Sequence, residues 1–316
     1  MARPSLLRLI TFTACIVAAL AVTSCTSRDP APRTGPLRIV VSIPPLVGLV
    51  RPLVTADHEI TMLIKPGQSC HGHEMTPADA AAIARADVVF YVGLGLEPQI
   101  EGMLKSRPDS RRRVVCFADA VGIRADDHAH HHHGPDEACD HGPVDPHLWV
   151  DAALVKQLIP ALGNAVREAM RGRATEVQIA QSREAEAMLL ANVAELESEL
   201  RGVLKPATGQ SIVTHHDAFS RLVEAHGITV AAVIRPIATD EPTPAEIATA
   251  VRALREQGAR GVFIEPQFSS LAASRIAESA GVPLGRLDVL GDGDWFAMMR
   301  ANAHEIARVL APAEAR

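Results

Sequence analysis

The sequence predicts an α/β protein of two lobes, each a mainly parallel sheet flanked by helices, joined by one long rigid helix. Three observations carry the prediction. Short apolar runs alternate with helical patterns from Leu37 onward, the alternation breaks off before residue 173, and it resumes after residue 203. Between the two stretches runs "EVQIAQSREAEAMLLANVAELESELRGVL", which meets no glycine or proline until Gly202. Composition permits such a design. Of 316 residues, 47% are hydrophobic and 22% charged, enough apolar content for a packed core and too much for a disordered chain. A formal charge of -6, with no Lys/Arg block on any predicted helix face, excludes nucleic acid as the expected partner.

In chain order, residues 1–24 read as a targeting signal. Arg3 and Arg8 precede an apolar stretch from Leu9 to Val22 that is too short for a membrane span. It ends in "VTSC", which resembles a bacterial lipoprotein signal with Cys25 as the acylated first residue of the mature chain. Residues 25–36 then form a Ser-, Pro- and Gly-containing tether to the membrane. Loss of Arg3 and Arg8 with the signal would take the net charge from -6 to -8. The cysteines that remain, Cys70, Cys116 and Cys139, allow at most one bridge, whose partners the sequence leaves open.

The first lobe is expected over 37–172. "LRIVVS", "HEITMLI", "DVVFYVG" and "RRVVCFA" are its strands, separated by "TPADAAAIARA" and the segment from Glu97 to Lys105 as helices. Strand–helix–strand spacing of this kind implies crossover connections and a sheet covered on both faces. Thr76-Pro77 opens the first of those helices as cap and first helical residue. A His-rich loop, "ADDHAHHHHGPDEACDHG", spans 125–142 and has no apolar periodicity. An amphipathic helix from Ala152 to Arg171 follows, with Asp151 as its cap. The linker helix, 173–203, carries an apolar stripe at Ile179, Leu189, Val193, Leu196, Leu200 and Val203, flawed by Ser182 and Glu186. The second lobe, 204–316, repeats the alternation through "SIVT", "ITVAAVI", "GVFIE" and "PLGRLDVL", without detectable sequence similarity to the first, and a helix closes the chain.

Residues that carry chemistry collect at predicted strand ends, where ligands bind in open parallel sheets. Cys70, His71, His73 and Glu74 follow "HEITMLI", and His147 lies in "DPHLWVD". His215 and His216 follow "SIVT", Glu265 ends "GVFIE", and Asp288 lies in "RLDVL". Such a set suits a metal site between the lobes. Glu265 reads equally as a ligand or as a hydrogen-bonding support, Trp149 as packing, and His58, His226 and His304 as solvated. Catalytic motifs fail on inspection. His73-Glu74 lacks the second histidine of a zinc protease helix, Pro98 and Phe296 spoil the two glycine-rich candidates, and Ser220 has no nucleophile elbow.

The ordered set "KPGQSCHGHEMTPADAAAIARADVVFYVG", "DPHLWVD", "IVTHHDAF", "DEPTPAEI", "GVFIEPQFSS" and "LDVLGDG" resembles the zinc/manganese class (cluster A-I) of solute-binding lipoproteins that serve ABC importers. The resemblance extends over nearly everything from Leu37 onward. It implies His71, His147 and His216 as metal ligands, with Asp288 as a fourth used by some members. Cys70 stands where the class often has proline and His73 where it often has an aromatic, so Cys70, His73 and Glu74 are further candidates. Three imidazoles suit Zn2+, and manganese members tend to carry Glu at the position of His216. The loop histidines His128, His130, His131, His132, His133 and His141 imply weaker accessory zinc sites, as in the zinc branch. The function implied is a monomeric, lipid-anchored, extracytoplasmic zinc-binding protein that delivers its ion to an ABC importer permease and is not an enzyme. A manganese- or iron-binding member of the same class, a zinc-dependent hydrolase and a surface metal buffer or adhesin are the alternatives.

Overall fold

The computed structural model describes residues 34–124, 144–235 and 242–311. Two four-stranded sheets, all parallel, organise them. In the first, β1 (Arg38–Val41), β2 (Glu59–Met62), β3 (Val88–Tyr91) and β4 (Arg113–Cys116) lie in the order β2-β1-β3-β4. In the second, β5 (Ser211–Thr214), β6 (Thr229–Val233), β7 (Val262–Ile264) and β8 (Leu284–Arg286) lie in the order β6-β5-β7-β8. The two orders are the same topology. Each has a switch point, between β1 and β3 and between β5 and β7, where crossovers leave in opposite directions. All eight strands coincide with the apolar runs expected of them.

Side-chain alternation divides the burial. In β1, Ile39 and Val41 face a core shared with helices, while Val40 joins Leu63, Ile83, Val89 and Ile100 in a smaller outer layer. The helices of the first lobe are α1 (Pro44–Val50), α2 (Pro77–Arg85), α3 (Pro98–Ser106), the short α4 (Phe117–Ala120) and α5 (Ala152–Met170). Those of the second are α7 (Ser220–Glu224), α8 (Pro244–Glu256), α9 (Leu271–Ala280) and α10 (Trp295–Leu310). Between them α6, Glu176–Leu204, runs for 29 residues. Its buried Leu189, Val193, Leu196, Leu200 and Leu204 belong to one core with residues of both sheets, including Phe90 and Phe263. Among the described residues no helix is long and apolar enough to cross a membrane.

The flaw in the α6 stripe has a physical cause. Glu186 turns toward α5, where its carboxylate takes a hydrogen bond from Arg167 at 2.5 Å. It lies over Gly163, at which a Cβ would come within 1.9 Å of its Oε2. Ser182 is buried as well, at 4% exposure. A second close approach joins the lobes directly. A Cβ on Gly48 of α1 would meet the Gly293 carbonyl oxygen at 2.7 Å and the Trp295 nitrogen at 2.9 Å, at the start of α10. The two buried tryptophans lock the same seam, Trp149 Nε1 donating to the Val289 carbonyl and Trp295 Nε1 to that of Trp149.

Candidate metal centre

Three imidazoles meet, each delivered by a different device. His71 sits on the loop 63–76 that leaves edge strand β2. Its amide donates to Ser69 Oγ at 3.1 Å, and Gly72 follows at φ 70° to turn the chain back. The loop ends at Thr76, whose side chain and that of Asp79 form a reciprocal cap on α2. His147 is set by Asp145, whose Oδ1 accepts its backbone N–H at 2.9 Å, and by the buried Leu148–Val150 turn that follows. Asp151 then caps α5, as expected, through the amides of Ala153 and Leu154. His216 stands just beyond the end of β5, where the His215 amide still bonds to the Phe263 carbonyl at 2.8 Å.

His71 Nε2 lies 3.2 Å from His147 Nε2 and 3.0 Å from His216 Nε2. The rings stand edge-on to one another, with centroids 4.9 to 5.2 Å apart. His147 and His216 are fully buried and His71 is 9% exposed. A tetrahedral zinc ion with Zn–N bonds of roughly 2.0–2.1 Å places its nitrogen ligands about 3.3–3.4 Å apart, close to the spacing present. Three imidazole nitrogens directed at one point at this spacing form a set that can hold a metal.

The far sides of two rings are braced. His147 Nδ1 donates to Asp145 Oδ1 at 2.7 Å and His216 Nδ1 to Glu265 Oε1 at 2.9 Å. A carboxylate on Nδ1 places the ring proton there and leaves Nε2 as the lone-pair donor. Each carboxylate is itself held. Arg221 Nε lies 3.1 Å from Asp145 Oδ2, and Gln267 Nε2 donates to Glu265 Oε2 at 2.7 Å. Burial by itself would raise the Asp145 carboxyl, but its close contact with His147, the hydrogen bonds from that residue and the Arg221 guanidinium together hold it well below the usual range.

Other candidates fall at different distances from this point. Cys70 joins it, with Sγ 3.8 Å from His147 Nε2 and the ligand atoms of Cys70, His71 and His147 all within 4.8 Å of one another. His73 instead lies 3.5 Å from Asp79, and Glu74 is exposed. Asp288 uses Oδ1 to accept the amides of Leu290 and Gly291, and none of its hydrogen bonds reaches the histidines. His215 is buried against Phe268, over whose ring the Arg235 guanidinium also lies, at 5.3 Å. Burial pushes it down to about 4, with Glu265 opposing and Arg235 and His216 adding to the shift. Cys25, Cys139 and the loop histidines from His128 to His141 lie outside the described residues.

Two corrections follow. His58 is not solvated: it is 9% exposed, and its Nδ1 accepts the Leu37 amide at 3.1 Å. Asp145 and Arg221 carry site geometry that sequence reasoning passed over. The only available signal was the carboxylate two places before His147, and nothing in the sequence links it to Arg221, 76 residues away. Glu265, open between two readings, is a brace on His216 in the structure.

A family model described as "Zinc-uptake complex component A periplasmic" matches residues 39–309. The chain belongs to that family. Its members are periplasmic solute-binding transport proteins, which are not an enzyme class. Among relatives, the chain is 23% identical over 287 residues to zinc-binding protein AdcA of Streptococcus pyogenes, covering 85% of this chain and 55% of that one. The chain thus spans about half the length of that relative. It is 25% identical over 270 residues to the high-affinity zinc uptake system protein ZnuA of Yersinia pestis, covering 81% and 83%. The solved periplasmic zinc-binding protein TroA of Treponema pallidum superposes with a TM-score of 0.74 at 19% identity, covering 88% of this chain and all of TroA, and shares the fold.

Proposed function

We propose that this chain captures Zn2+ outside the cytoplasm with high affinity, on His71, His147 and His216, and hands it to the permease of an ABC importer. The observation that carries the proposal is the convergence of three Nε2 atoms from both sides of the molecule, two of them on rings braced by carboxylates. A carboxylate–histidine–metal arrangement fixes ring orientation and raises ligand basicity, which suits tight capture. The donors are nitrogen-rich and borderline in softness, favouring zinc over manganese. Names of the relatives support the same cargo: AdcA and ZnuA are both described as zinc proteins. Among the described residues both carboxylates beside the imidazoles, Asp145 and Glu265, are spent on ring nitrogens, which supports a binding role rather than a catalytic one.

In this reading residues 1–24 are removed, Cys25 carries lipid, 37–172 and 204–316 are the lobes and 173–203 the link. The protein works as a monomer. The six histidines from His128 to His141 form a second, weaker class of zinc site, because a segment with no apolar periodicity loses conformational entropy on chelation. Competition decides the cargo. Protein purified without added metal and offered equimolar Zn2+ and Mn2+ should retain zinc at one tight site per chain. Preferential retention of manganese would place it in the other branch, and metal-dependent hydrolysis of esters or peptides would make it an enzyme. Deleting 126–141 should remove only the weak class; loss of the tight site would move the main centre to that loop.

A further inference from the structure

We infer that Cys70 is the fourth ligand of this site, its thiolate closing a three-histidine, one-cysteine tetrahedron around the captured ion. The inference rests on the reading of His71, His147 and His216 as ligands and goes beyond it, since it sets what kind of ion the site prefers. Geometry comes first. With Zn–S of about 2.3 Å and Zn–N of roughly 2.0–2.1 Å, sulfur and nitrogen in a tetrahedral shell stand about 3.5–3.6 Å apart. Cys70 Sγ stands 3.8 Å from His147 Nε2, and its ligand atom, with those of His71 and His147, lies inside a 4.8 Å group that does not include His216, which meets the site through His71 Nε2 at 3.0 Å. Adjacent residues reach one ion because the chain bends there: Ser69 Oγ takes the His71 amide and Gly72 turns at φ 70°.

Among the described residues, elimination points the same way. Glu265 and Asp145 each hold an imidazole Nδ1, Asp288 makes a turn with Leu290 and Gly291, His73 faces Asp79 and Glu74 is exposed. Cys70 is 1% exposed, so its sulfur meets the centre of the site and its walls, and very little water. The bland account makes Cys70 a small core residue whose S–H donates weakly to His147 Nε2. That account describes the ion-free molecule well and is compatible with ligation. On binding, the S–H bond breaks, its proton leaves to solvent, and a sulfur lone pair forms the metal bond, with no change of oxidation state. A thiolate is soft, so it strengthens zinc binding while offering manganese little.

Cobalt reads the difference. The intact chain, stripped of metal and given one equivalent of Co2+, should show the visible bands of a tetrahedral ion together with a near-ultraviolet thiolate-to-cobalt band. Cys70→Ser should keep the visible bands and lose the near-ultraviolet one, and Cys70→Ala serves if the serine variant fails to fold. X-ray absorption of the zinc-loaded wild type, which needs no variant, should show one sulfur neighbour at about 2.3 Å. Tetrahedral bands without the thiolate band in wild type would overturn the inference and leave the three-histidine reading standing. So would a thiolate band that survives Cys70→Ser, since the sulfur would then come from another cysteine. If wild type gives no tetrahedral spectrum at all, the three-histidine reading itself fails.

Discussion

The two sheets share one strand order, yet they deliver their ligands in different ways. In the second sheet, His216 stands two residues past β5, and Glu265, its brace, stands directly past the neighbouring strand β7. Strand pairing across the switch point therefore fixes ligand and support together. In the first sheet the ligand-type residues ride on a loop from edge strand β2, held by local contacts such as Lys65 N to Gln68 Oε1 and the Thr76 cap. The difference teaches that one side of the site is part of the sheet and the other is attached to it. Chemistry can change on the loop without disturbing a strand.

The largest expected effect tests that contrast. His71→Ala and His216→Ala should each weaken zinc binding by more than the roughly 10–100-fold typical of an outer support, because each removes a direct ligand. Only His216→Ala should also destabilise the metal-free protein. It leaves the Glu265 carboxylate, 2% exposed, without its imidazole donor, a loss of about 1–3 kcal/mol. Chelator competition gives the affinities and thermal unfolding of the apo proteins gives the stabilities. Equal apo stabilities for the two variants would break the comparison.

Next in size is Glu265→Gln. The amide keeps the shape of the side chain but takes away the charge that holds the His216 ring, and affinity should fall about 10–100-fold. A variant that binds zinc like the parent would show that the brace is structural only.

Much of this arrangement is legible in the sequence, for identifiable reasons. Buried parallel strands write themselves as runs such as "RIVV" and "VFI", since both faces are covered. Helix caps at Thr76, Asp151 and Thr243 are local and readable. Helix α1 has no counterpart among the expected elements; its two prolines, Pro44 and Pro45, fall in the first turn, where their missing N–H groups cost nothing. Helix α7, after β5, runs only from Ser220 to Glu224. Long-range polar pairs are the hardest to read. The ties of Asp145 to Arg221 and Glu186 to Arg167 exist only once the chain has folded, and the first of them shapes the site.

A smaller effect concerns the seam that makes the two lobes one body. Gly48→Ala puts a methyl group against the Gly293 carbonyl and the Trp295 amide, both backbone atoms that cannot swing aside. The expected cost is about 1–3 kcal/mol of stability, typical of overpacking, with zinc affinity little changed because the imidazoles lie elsewhere. Chemical denaturation measures it. A neutral substitution would mean that the lobes separate at this seam without resistance.

The smallest effect lies at the opposite end of the first sheet from His71. His58 precedes β2 and its Nδ1 accepts the Leu37 amide just before β1, so it ties the amino ends of two neighbouring strands. That bond requires an unprotonated Nδ1. Burial lowers the His58 pKa, Asp57 opposes the shift, and Arg173 and Arg51 add to it. The sign follows: the unfolded ring titrates near 6.5 and the folded ring below it, so the folded state binds fewer protons. The stability His58 contributes is full above about pH 6.5 and is lost as pH falls through the folded value. His58→Gln keeps an acceptor for the Leu37 amide and cannot titrate. The stability difference between wild type and His58→Gln should therefore shift in the variant's favour between about pH 7.5 and pH 5. Zinc affinity at neutral pH should match the parent, since this end of the sheet carries no ligand. A difference that stays constant across that range would show that His58 keeps its unfolded affinity for protons, and that the tie between the two strands does not depend on its charge.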